Sequence, residues 1–322
     1  MTSGEAYHLY LKGRFHWGRR TEESIYKALQ LFRQAVEADP LYALAYAGIA
    51  EGYTPLGYYC YLPPRETAPK AKAAAQQALE IEPDLAEALT VLGAMTASYD
   101  WDMSTGEAML RKAVALDPAY PRARQWLAEC LTMTARFDEA IAEVEEALEL
   151  DPLLLHTNAA VVMHNYFARR YDDAIERGIK SLELDPNFFP TRLYLGLAYQ
   201  ASGRLSEAVA ELQEARVLSS GNTLVTATLA GALAASGKES ETNAVLAELE
   251  EIGRSRYVLQ TTVAAAYACR RDDDQALSCL EKACEDHCLQ LPYALTADAR
   301  FDALRGEARF QNLIQRVAPS IA

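Results

Sequence analysis

The sequence lacks long apolar runs and clusters of positively charged residues, and it contains few cysteines. No uninterrupted apolar stretch reaches the roughly 18 residues that a membrane-spanning helix needs, and the N-terminal segment has no signal-peptide core. The excess of 45 Asp and Glu over 31 Lys and Arg disfavours nucleic acid and anionic membranes as partners, because both attract clustered cations. Six cysteines in 322 residues are too few for a disulfide framework. These absences predict a cytoplasmic protein.

What the sequence does contain is an internal repeat. Half of the residues are hydrophobic, which is typical of a chain with a large core, and length alone predicts two domains of about 150 residues each. Against that prediction, an acidic residue followed by proline recurs with proline intervals of 43, 35, 34 and 34. The acidic residues of these dipeptides are Asp39, Glu82, Asp117, Asp151 and Asp185. Because proline cannot supply an interior helical N–H, each dipeptide is expected to end a helix.

Two further series keep the 34-residue spacing. Residues with short oxygen-bearing side chains are expected to cap the helix that follows, since they accept free N–H groups of its first turn. They are Asp138, Asp172, Ser206, Ser240 and Asp274. Small residues two positions later would allow close helix approach, and they are Ala140, Ala174, Ala208 and Ala276. Apolar residues spaced three and four apart predict two amphipathic helices in each unit.

The spacing predicts an all-α chain built as one solenoid over residues 1–322, with no boundary near the middle. Eight helical hairpins are expected to begin near residues 6, 43, 86, 121, 155, 189, 223 and 257. Residues 292–318 are expected to form a C-terminal cap of one or two short helices, because a terminal repeat otherwise exposes an apolar face.

The repeat resembles the tetratricopeptide repeat (TPR), whose pattern places Leu-Gly, Tyr, Ala and Pro at fixed positions in 34 residues. The best match contains Leu195-Gly196, Tyr199, Ala208, Leu212 and Ala215. The resemblance implies a right-handed TPR superhelix, an α-α solenoid, with the first helix of each hairpin lining a concave groove.

Several longer segments extend the resemblance. The stretches AYHLYLKGRFHWGRRT, LPPRETAPKAKAAA, FARRYDDAIE and DARFDALRGEARFQNLIQRV are similar to the C-terminal TPR region of multidomain bacterial regulators linked to a kinase, a cyclase or a winged-helix domain. This resemblance implies a bacterial interaction or regulatory module. Phosphate-loop, kinase catalytic-loop and basic recognition-helix motifs do not occur in this sequence, so those activities are not implied.

Candidate binding residues follow from the groove positions that the resemblance assigns in repeats 4 to 6. Aromatic residues, Met and Arg are enriched among interface anchors, and these repeats are rich in them. The groove candidates are Arg122, Gln125, Trp126, Glu129, His156, Met163, Tyr166, Phe167, Tyr194 and Leu197, and Arg124 and Arg192 are added from a second repeat position that is described next. The alternative is that several of these rings only pack between neighbouring repeats.

Polar residues also occupy a position that is usually apolar. Arg124, Asn158 and Arg192 stand at equivalent positions of three consecutive repeats, with His156 and His164 nearby in sequence. Together they could bind a carboxylate or a phosphate. The alternative is that each arginine pairs with an acid on the adjacent helix.

Two insertions interrupt the spacing. Nine extra residues in repeat 2 are expected to place Tyr58, Tyr59 and Tyr61 in a long turn between helices, and one extra residue lies near Trp101. Self-association into a homodimer is left open, sealed by these tyrosines or by the N-terminal helix with Phe15 and Trp17.

Chemical motifs are sparse. Cys279, Cys284, His287 and Cys288 cluster in sequence, but on one continuous helix Cys279 and Cys288 would lie about 180° apart. A zinc site would require the helix to end before Cys288, and the favoured alternative is that these are small core or surface cysteines. We therefore expect no metal, no cofactor and no enzymatic activity. The predicted function is a scaffold that binds a protein or peptide segment in the groove. The alternatives are a sensor of a small anionic or aromatic ligand and, less favoured, an enzyme using His156 or His164.

Overall fold

The computed structural model describes residues 3–318, and every regular element in that range is helical. The helices are α1 (Gly4–Trp17), α2 (Glu22–Ala38), α3 (Ala43–Tyr58), α4 (Pro64–Ile81), α5 (Ala86–Ser98), α6 (Met103–Leu116), α7 (Pro121–Met133), α8 (Phe137–Leu150), α9 (Leu155–Phe167), α10 (Tyr171–Leu184), α11 (Phe189–Ala201), α12 (Leu205–Leu218), α13 (Thr223–Ala235), α14 (Glu239–Ile252), α15 (Gln260–Cys269), α16 (Asp273–Glu285), α17 (Leu291–Thr296), the 3-10 helix η1 (Ala299–Leu304) and α18 (Ala308–Val317).

The predicted helical hairpins are confirmed. The first helices begin at residues 4, 43, 86, 121, 155, 189, 223 and 260, so the six middle starts match the spacing and the two outer ones differ by two or three residues. The predicted C-terminal cap is present as α17, η1 and α18. The fold is therefore an all-α solenoid of helical hairpins.

The acidic residue before each proline ends a helix, as predicted. Asp39, Glu82, Asp117 and Asp151 each follow directly on the last residue of α2, α4, α6 and α8, and Asp185 follows α10 in the same way. The proline after each of them cannot continue the helix.

The predicted N-terminal caps are wrong by two residues. Asp138, Asp172 and Ser206 lie inside the first turn of α8, α10 and α12, whose cap positions hold Arg136, Arg170 and Arg204. Ser240 and Asp274 lie inside α14 and α16 in the same way. The acids in these first turns still favour the helices, because negative charge interacts well with the N-terminal end of the helix dipole.

The insertion in repeat 2 lengthens its helices instead of forming a long turn. Helix α3 has 16 residues and α4 has 18, against 13 and 14 in the hairpin of α9 and α10. Tyr58 is the last residue of α3, and Tyr59 and Tyr61 are buried within the chain. Tyr59 and Tyr61 therefore do not present an exposed surface that could seal a homodimer.

Small residues stand where the two helices of a hairpin meet. Gly106 of α6 precedes the predicted alanine series by one repeat, and a Cβ added there would lie 2.7 Å from the Cβ of Ala97 and 2.8 Å from the carbonyl oxygen of Gly93. Ala140, Ala174, Ala208 and Ala276 are all buried, which confirms their predicted role. Gly196 likewise packs against Leu212. Both residues belong to the repeat that best matches the pattern.

Every turn inside a hairpin contains one residue with left-handed backbone. These residues are Arg20, Cys60, Trp101, Ala135, Arg169, Gly203, Gly237 and Arg271, with φ between 59° and 80°. Such a φ is easy for glycine and costs other residues about 1 kcal/mol, yet only two of the eight are glycine.

Contacts divide the chain into two compact units, unit 1 from Met1 to Cys130 and unit 2 from Leu131 to Ala322. In unit 1, Phe32 is fully buried and fills the space beside Gly13 and Gly48, where an added Cβ would lie within 2.4 and 2.7 Å of its ring. In unit 2, Phe301 and Phe310 of the C-terminal segment pack together with ring centroids 6.4 Å apart. The expectation of a single solenoid domain stays a prediction.

Candidate functional site

Three arginines surround one indole ring in unit 1. Trp17 ends α1, and its Nε1 donates a hydrogen bond to the carbonyl oxygen of Glu51 at 3.0 Å. The guanidinium carbons of Arg14, Arg20 and Arg122 lie 4.7, 3.6 and 5.2 Å from the centre of its ring. We call Trp17 and these three residues the arginine cluster. Cation–π attraction accounts for how the rings and guanidinium groups are stacked.

Glu51 neutralises one member of the arginine cluster. Its carboxylate is buried, forms an ion pair with Arg14 and accepts a hydrogen bond from the hydroxyl of Tyr120 at 2.6 Å. Burial raises the pKa of Tyr120 well above its ordinary value, so this hydroxyl remains a donor at neutral pH. Both oxygens of Glu51 are therefore engaged.

Arg20 and Arg122 differ from Arg14. Both are more than nine-tenths buried, and neither forms an ion pair with a carboxylate anywhere in residues 3–318. Arg122 donates from Nη1 to Oε1 of Gln125 at 2.8 Å, while its Nε and that of Arg20 have no hydrogen-bond partner. Burial, followed by the charge of Arg122, lowers the pKa of Arg20 to about 9.

Aromatic side chains surround this guanidinium pair. The guanidinium carbon of Arg122 lies 5.4 Å from the centre of the Trp126 ring, and Tyr58 meets Trp126 edge to face at 6.2 Å. The hydroxyl of Tyr61 donates to the carbonyl oxygen of Arg20 at 3.2 Å, which fixes the turn that carries Arg20. The predicted candidates Arg122 and Trp126 thus lie together.

In unit 2, the chain's own C-terminal segment covers two of the predicted groove residues. Phe167 stacks on Tyr293 with ring centroids 5.2 Å apart and planes inclined by 19°. Tyr166 donates from its hydroxyl to Oδ1 of Asp298 at 3.2 Å, and Asp298 forms an ion pair with Arg300 at 2.6 Å. The predicted cap therefore also occupies part of the surface expected to bind a partner.

The polar side chains at the equivalent position of repeats 5 and 6 find their partners within the chain. Arg192 of α11 forms an ion pair with Glu211 of the adjacent helix α12 at 2.6 Å, and it donates to the carbonyl oxygen of Pro186. Asn158 donates to the carbonyl oxygens of Pro152 and Leu154. For Arg192 this matches the alternative in which the arginine pairs with an acid of the neighbouring helix.

His164 is a buried neutral side chain. Its Nδ1 lies 2.8 Å from the hydroxyl oxygen of Thr132, and burial lowers its pKa to about 3. A neutral imidazole supplies no positive charge at physiological pH. The predicted cationic pocket in this part of unit 2 therefore receives no charge from His164.

This burial makes stability depend on pH. The folded pKa of His164, about 3, lies below the ordinary value of 6.5, so the unfolded chain binds the extra proton between these values and stability falls as pH falls. From pH 7 to pH 5 the group should contribute a loss of about 2 kcal/mol. Urea unfolding of the His164→Gln variant at both pH values should show a smaller pH dependence than the parent chain. The exposed His8→Gln variant is the control and should retain the parental pH dependence.

Burial separates the remaining candidates into two groups. Arg124 and Arg192 are partly exposed. The other ten are less than a tenth exposed, namely Arg122, Gln125, Trp126, Glu129, His156, Met163, Tyr166, Phe167, Tyr194 and Leu197. The first-helix side chains therefore pack closely within the chain.

Trp17 was not predicted from the sequence as the buried ring on which the three arginines pack. Arg20 and Glu51 were not singled out either. Glu51 carried a signal, because it is the only charged residue among the 16 of α3. An acid on an otherwise apolar helix requires a partner when it is buried. Asp298 and Arg300 were missed because they lie beyond the repeats.

Three exposed apolar side chains of unit 1 form a stripe on α1. Tyr7, Leu11 and Phe15 are 53%, 46% and 64% exposed, and their spacing of four places them on one helical face. We call these three residues the α1 stripe. It lies away from the buried side of α1, which carries Ala6, Gly13 and Trp17.

Residues 3–318 contain neither a metal-binding group nor a membrane-spanning helix. Within that range no three His, Cys, Asp or Glu side chains are grouped to hold a metal ion, and Cys279, Cys284 and Cys288 are buried. None of the helices described is both long and apolar enough to cross a bilayer.

Comparison with known proteins defines the class of the chain as a helical-hairpin repeat protein. A family model described as tetratricopeptide repeat matches residues 102–156, which span α6 to the start of α9. The human IFIT1 dimer solved with m7Gppp-AAAA is 16% identical, with a TM-score of 0.60 over 81% of this chain and 68% of that one. The APC/C hetero-tetramer Cut9-Hcn1 is 19% identical, with a TM-score of 0.51 over 72% of this chain and 47% of that one. The predicted TPR architecture is thus confirmed.

A curated relative is similar over a shorter stretch. Transcriptional regulator HilA of Salmonella typhimurium is 26% identical over 144 residues, or 45% of this chain. The chain spans only 26% of the length of HilA. The TPR fold forms extended surfaces that serve as scaffolds for binding other proteins.

Proposed function

We propose that the chain is a non-catalytic module that binds a helix of another protein on the α1 stripe. The observation that carries this proposal is the exposure of Tyr7, Leu11 and Phe15 on one face of α1. Contiguous exposed apolar surface on a soluble protein marks a binding site, and three large side chains in line fit the apolar face of an amphipathic helix.

The charge around the α1 stripe favours an acidic partner. Lys12 and Arg19 are exposed beside the stripe, and the guanidinium carbon of Arg19 lies 4.8 Å from the centre of the Phe15 ring. The N-terminal segment is thus locally basic, although the whole chain has a formal charge of −14. Complementary charge guides association and selects the partner.

A partner segment in the groove of repeats 4 to 6 is the finer expectation from the sequence. Its main anchors, Trp126, Met163 and Tyr166, are each less than a tenth exposed, so little of each side chain is accessible to a peptide. The α1 stripe is accessible as it stands, and we place the partner there for this reason. The expectations of no nucleic acid and no membrane partner stay predictions from charge and hydropathy.

Synthetic amphipathic helices test this proposal. We expect a peptide with a Leu face and Glu flanks to bind, measured by fluorescence anisotropy, and its Lys-flanked counterpart to bind at least tenfold more weakly. Leu11→Gln with Phe15→Gln should weaken binding of the acidic peptide about tenfold or more, since about 1.4 kcal/mol corresponds to a factor of ten. The control is Val217→Gln, which alters an apolar residue of unit 2 that is 73% exposed.

Two outcomes would contradict the proposal. Equal binding to the parent and to the Leu11→Gln, Phe15→Gln variant would show that the stripe is not the site. A dimer that light scattering detects in the parent and not in this variant would show that the occupant is a second copy of the chain.

A second candidate function is recognition of a small anion. The observation that favours it is the guanidinium pair of Arg20 and Arg122, which is buried without a carboxylate partner. This site lies on the buried side of α1 with Trp17, so it does not compete with the α1 stripe.

A further inference from the structure

We infer that Arg20 and Arg122 form a binding site for an oxyanion, a phosphate or a carboxylate, held between two guanidinium groups beside the indole of Trp17. This inference rests on the second candidate function and is independent of the α1 stripe. It specifies the class of ligand and the donors that hold it.

The charges that face the pair do not neutralise it by direct contact. Glu51 is engaged by Arg14 and Tyr120. Glu129 is buried nearby, since Arg20, Glu129 and Arg122 all act on the pKa of the Tyr59 hydroxyl, which is raised mainly by burial. Among residues 3–318, Arg122 donates to the neutral Gln125 side chain, and Nε of Arg20 has no hydrogen-bond partner. Two buried like charges without a paired anion are costly, and an anion between them would remove that cost.

Two N–H donors of the pair are buried without a hydrogen-bond partner. They are Nε of Arg20 and Nε of Arg122, for which residues 3–318 supply no acceptor. A guanidinium group presents its N–H donors in a planar fork that matches the oxygens of a carboxylate or a phosphate. The stacking of Arg20 at 3.6 Å from the centre of the Trp17 ring fixes the plane of that fork.

The backbone also holds Arg20 in place. Its φ is 60°, and its carbonyl oxygen accepts the hydrogen bond of the buried Tyr61 hydroxyl at 3.2 Å. Arg122 is fixed by Gln125 and by the Trp126 ring. Both guanidinium groups are therefore positioned before the ligand binds, which lowers the entropic cost of binding it.

The lowered pKa of Arg20, about 9, agrees with this geometry. Burial and the neighbouring charge of Arg122 both disfavour the charged form when no anion is bound. A bound anion would reverse the second effect, because opposite charge favours the ionised guanidinium.

Anion titration of the full chain tests the inference. Inorganic phosphate forms one arm and succinate the other, each at constant ionic strength adjusted with sodium chloride. We expect at least one of them to raise the thermal midpoint and to change tryptophan fluorescence with a saturable dependence on concentration. The anion that binds more tightly shows whether the site prefers a phosphate or a carboxylate.

Three variants assign the effect to the pair. Arg20→Gln and Arg122→Gln should each weaken anion binding at least tenfold, and Arg122→Lys should weaken it because the planar fork is lost. Arg19→Gln is the matched control, since it removes the same charge from the adjacent, exposed position. Phosphate also stabilises proteins in general as an excluded solute, and this effect would raise the thermal midpoint of every variant. Comparison with Arg19→Gln separates it from binding at the site.

A readout without ligand separates binding from a structural role. If the buried charge of Arg20 were compensated by the protein itself, its replacement would lower stability. Under our inference Arg20→Gln leaves the midpoint without anion unchanged or raises it, because an uncompensated buried charge is removed. Saturable anion binding that is equal in Arg20→Gln, Arg122→Gln and Arg19→Gln would overturn the inference, as would no saturable binding of either anion to the parent. Failure of the helical peptides to bind would overturn only the proposal for the α1 stripe.

Discussion

Glu51→Gln is expected to lower the free energy of unfolding by about 3–5 kcal/mol, the cost of breaking a buried ion pair from one side. The Glu51 carboxylate is 3% exposed and holds Arg14 and the hydroxyl of Tyr120. Without it, all three guanidinium groups of the arginine cluster lack a direct anionic partner. Urea unfolding followed by tryptophan fluorescence measures the effect directly, because Trp17, Trp101 and Trp126 all lie in unit 1.

The control for this prediction is Glu207→Gln. Glu207 pairs with Arg204 three residues earlier, and both side chains are 47% exposed. Exposed pairs contribute little because water screens them, so this variant should unfold at the parental urea concentration. If Glu51→Gln also unfolded there, the buried network would not stabilise unit 1.

Asp298→Asn is expected to destabilise unit 2 by about 3–5 kcal/mol, for the same physical reason. Asp298 is buried and accepts hydrogen bonds from Arg300 at 2.6 Å and from the Tyr166 hydroxyl at 3.2 Å. Arg300 is also largely buried, so neutralising Asp298 leaves its charge without an ion pair. Far-ultraviolet circular dichroism in urea measures the loss, and limited proteolysis should cut residues 291–318 faster in the variant.

Asp302→Asn provides a matched control on the 3-10 helix η1, which Asp298 caps. Asp302 pairs with Arg169 and Arg305, but it is 39% exposed. Its replacement should cost less than about 1 kcal/mol. A comparable loss in both variants would mean that the segment is held by general packing and not by the buried ion pair.

Much of the fold could be predicted because the same pattern of residues recurs in each helical hairpin. The repeat pattern, with intervals of 34 residues and two longer ones, located the starts of six first helices without error, and the acid-proline dipeptides located five helix ends. These features depend on local chemistry, namely helical periodicity and the missing N–H of proline. The caps were misplaced by two residues because a short polar side chain favours both the cap and the first turn.

The site could be predicted only in part, because its contacts join different repeats. Arg122 and Trp126 follow from groove positions within one repeat, whereas Tyr120 and Glu51 meet across 69 residues. Tyr166 and Asp298 meet across 132 residues. Periodicity predicts the residues that all repeats have in common. These pairs are formed by residues that occur in single repeats only, so periodicity does not predict them.

The backbone at Arg20 has a consequence for redesigning this protein. Position 20 is one of eight equivalent turn positions with left-handed φ, and glycine occupies two of them. Averaging the repeats toward the residue best suited to that turn would replace Arg20 with glycine, relieving about 1 kcal/mol of backbone strain and removing a buried charge. A more stable protein would result, and the proposed oxyanion site would be lost. Stability and the proposed anion recognition therefore oppose each other at this single residue, and selection for stability alone would erase the proposed site.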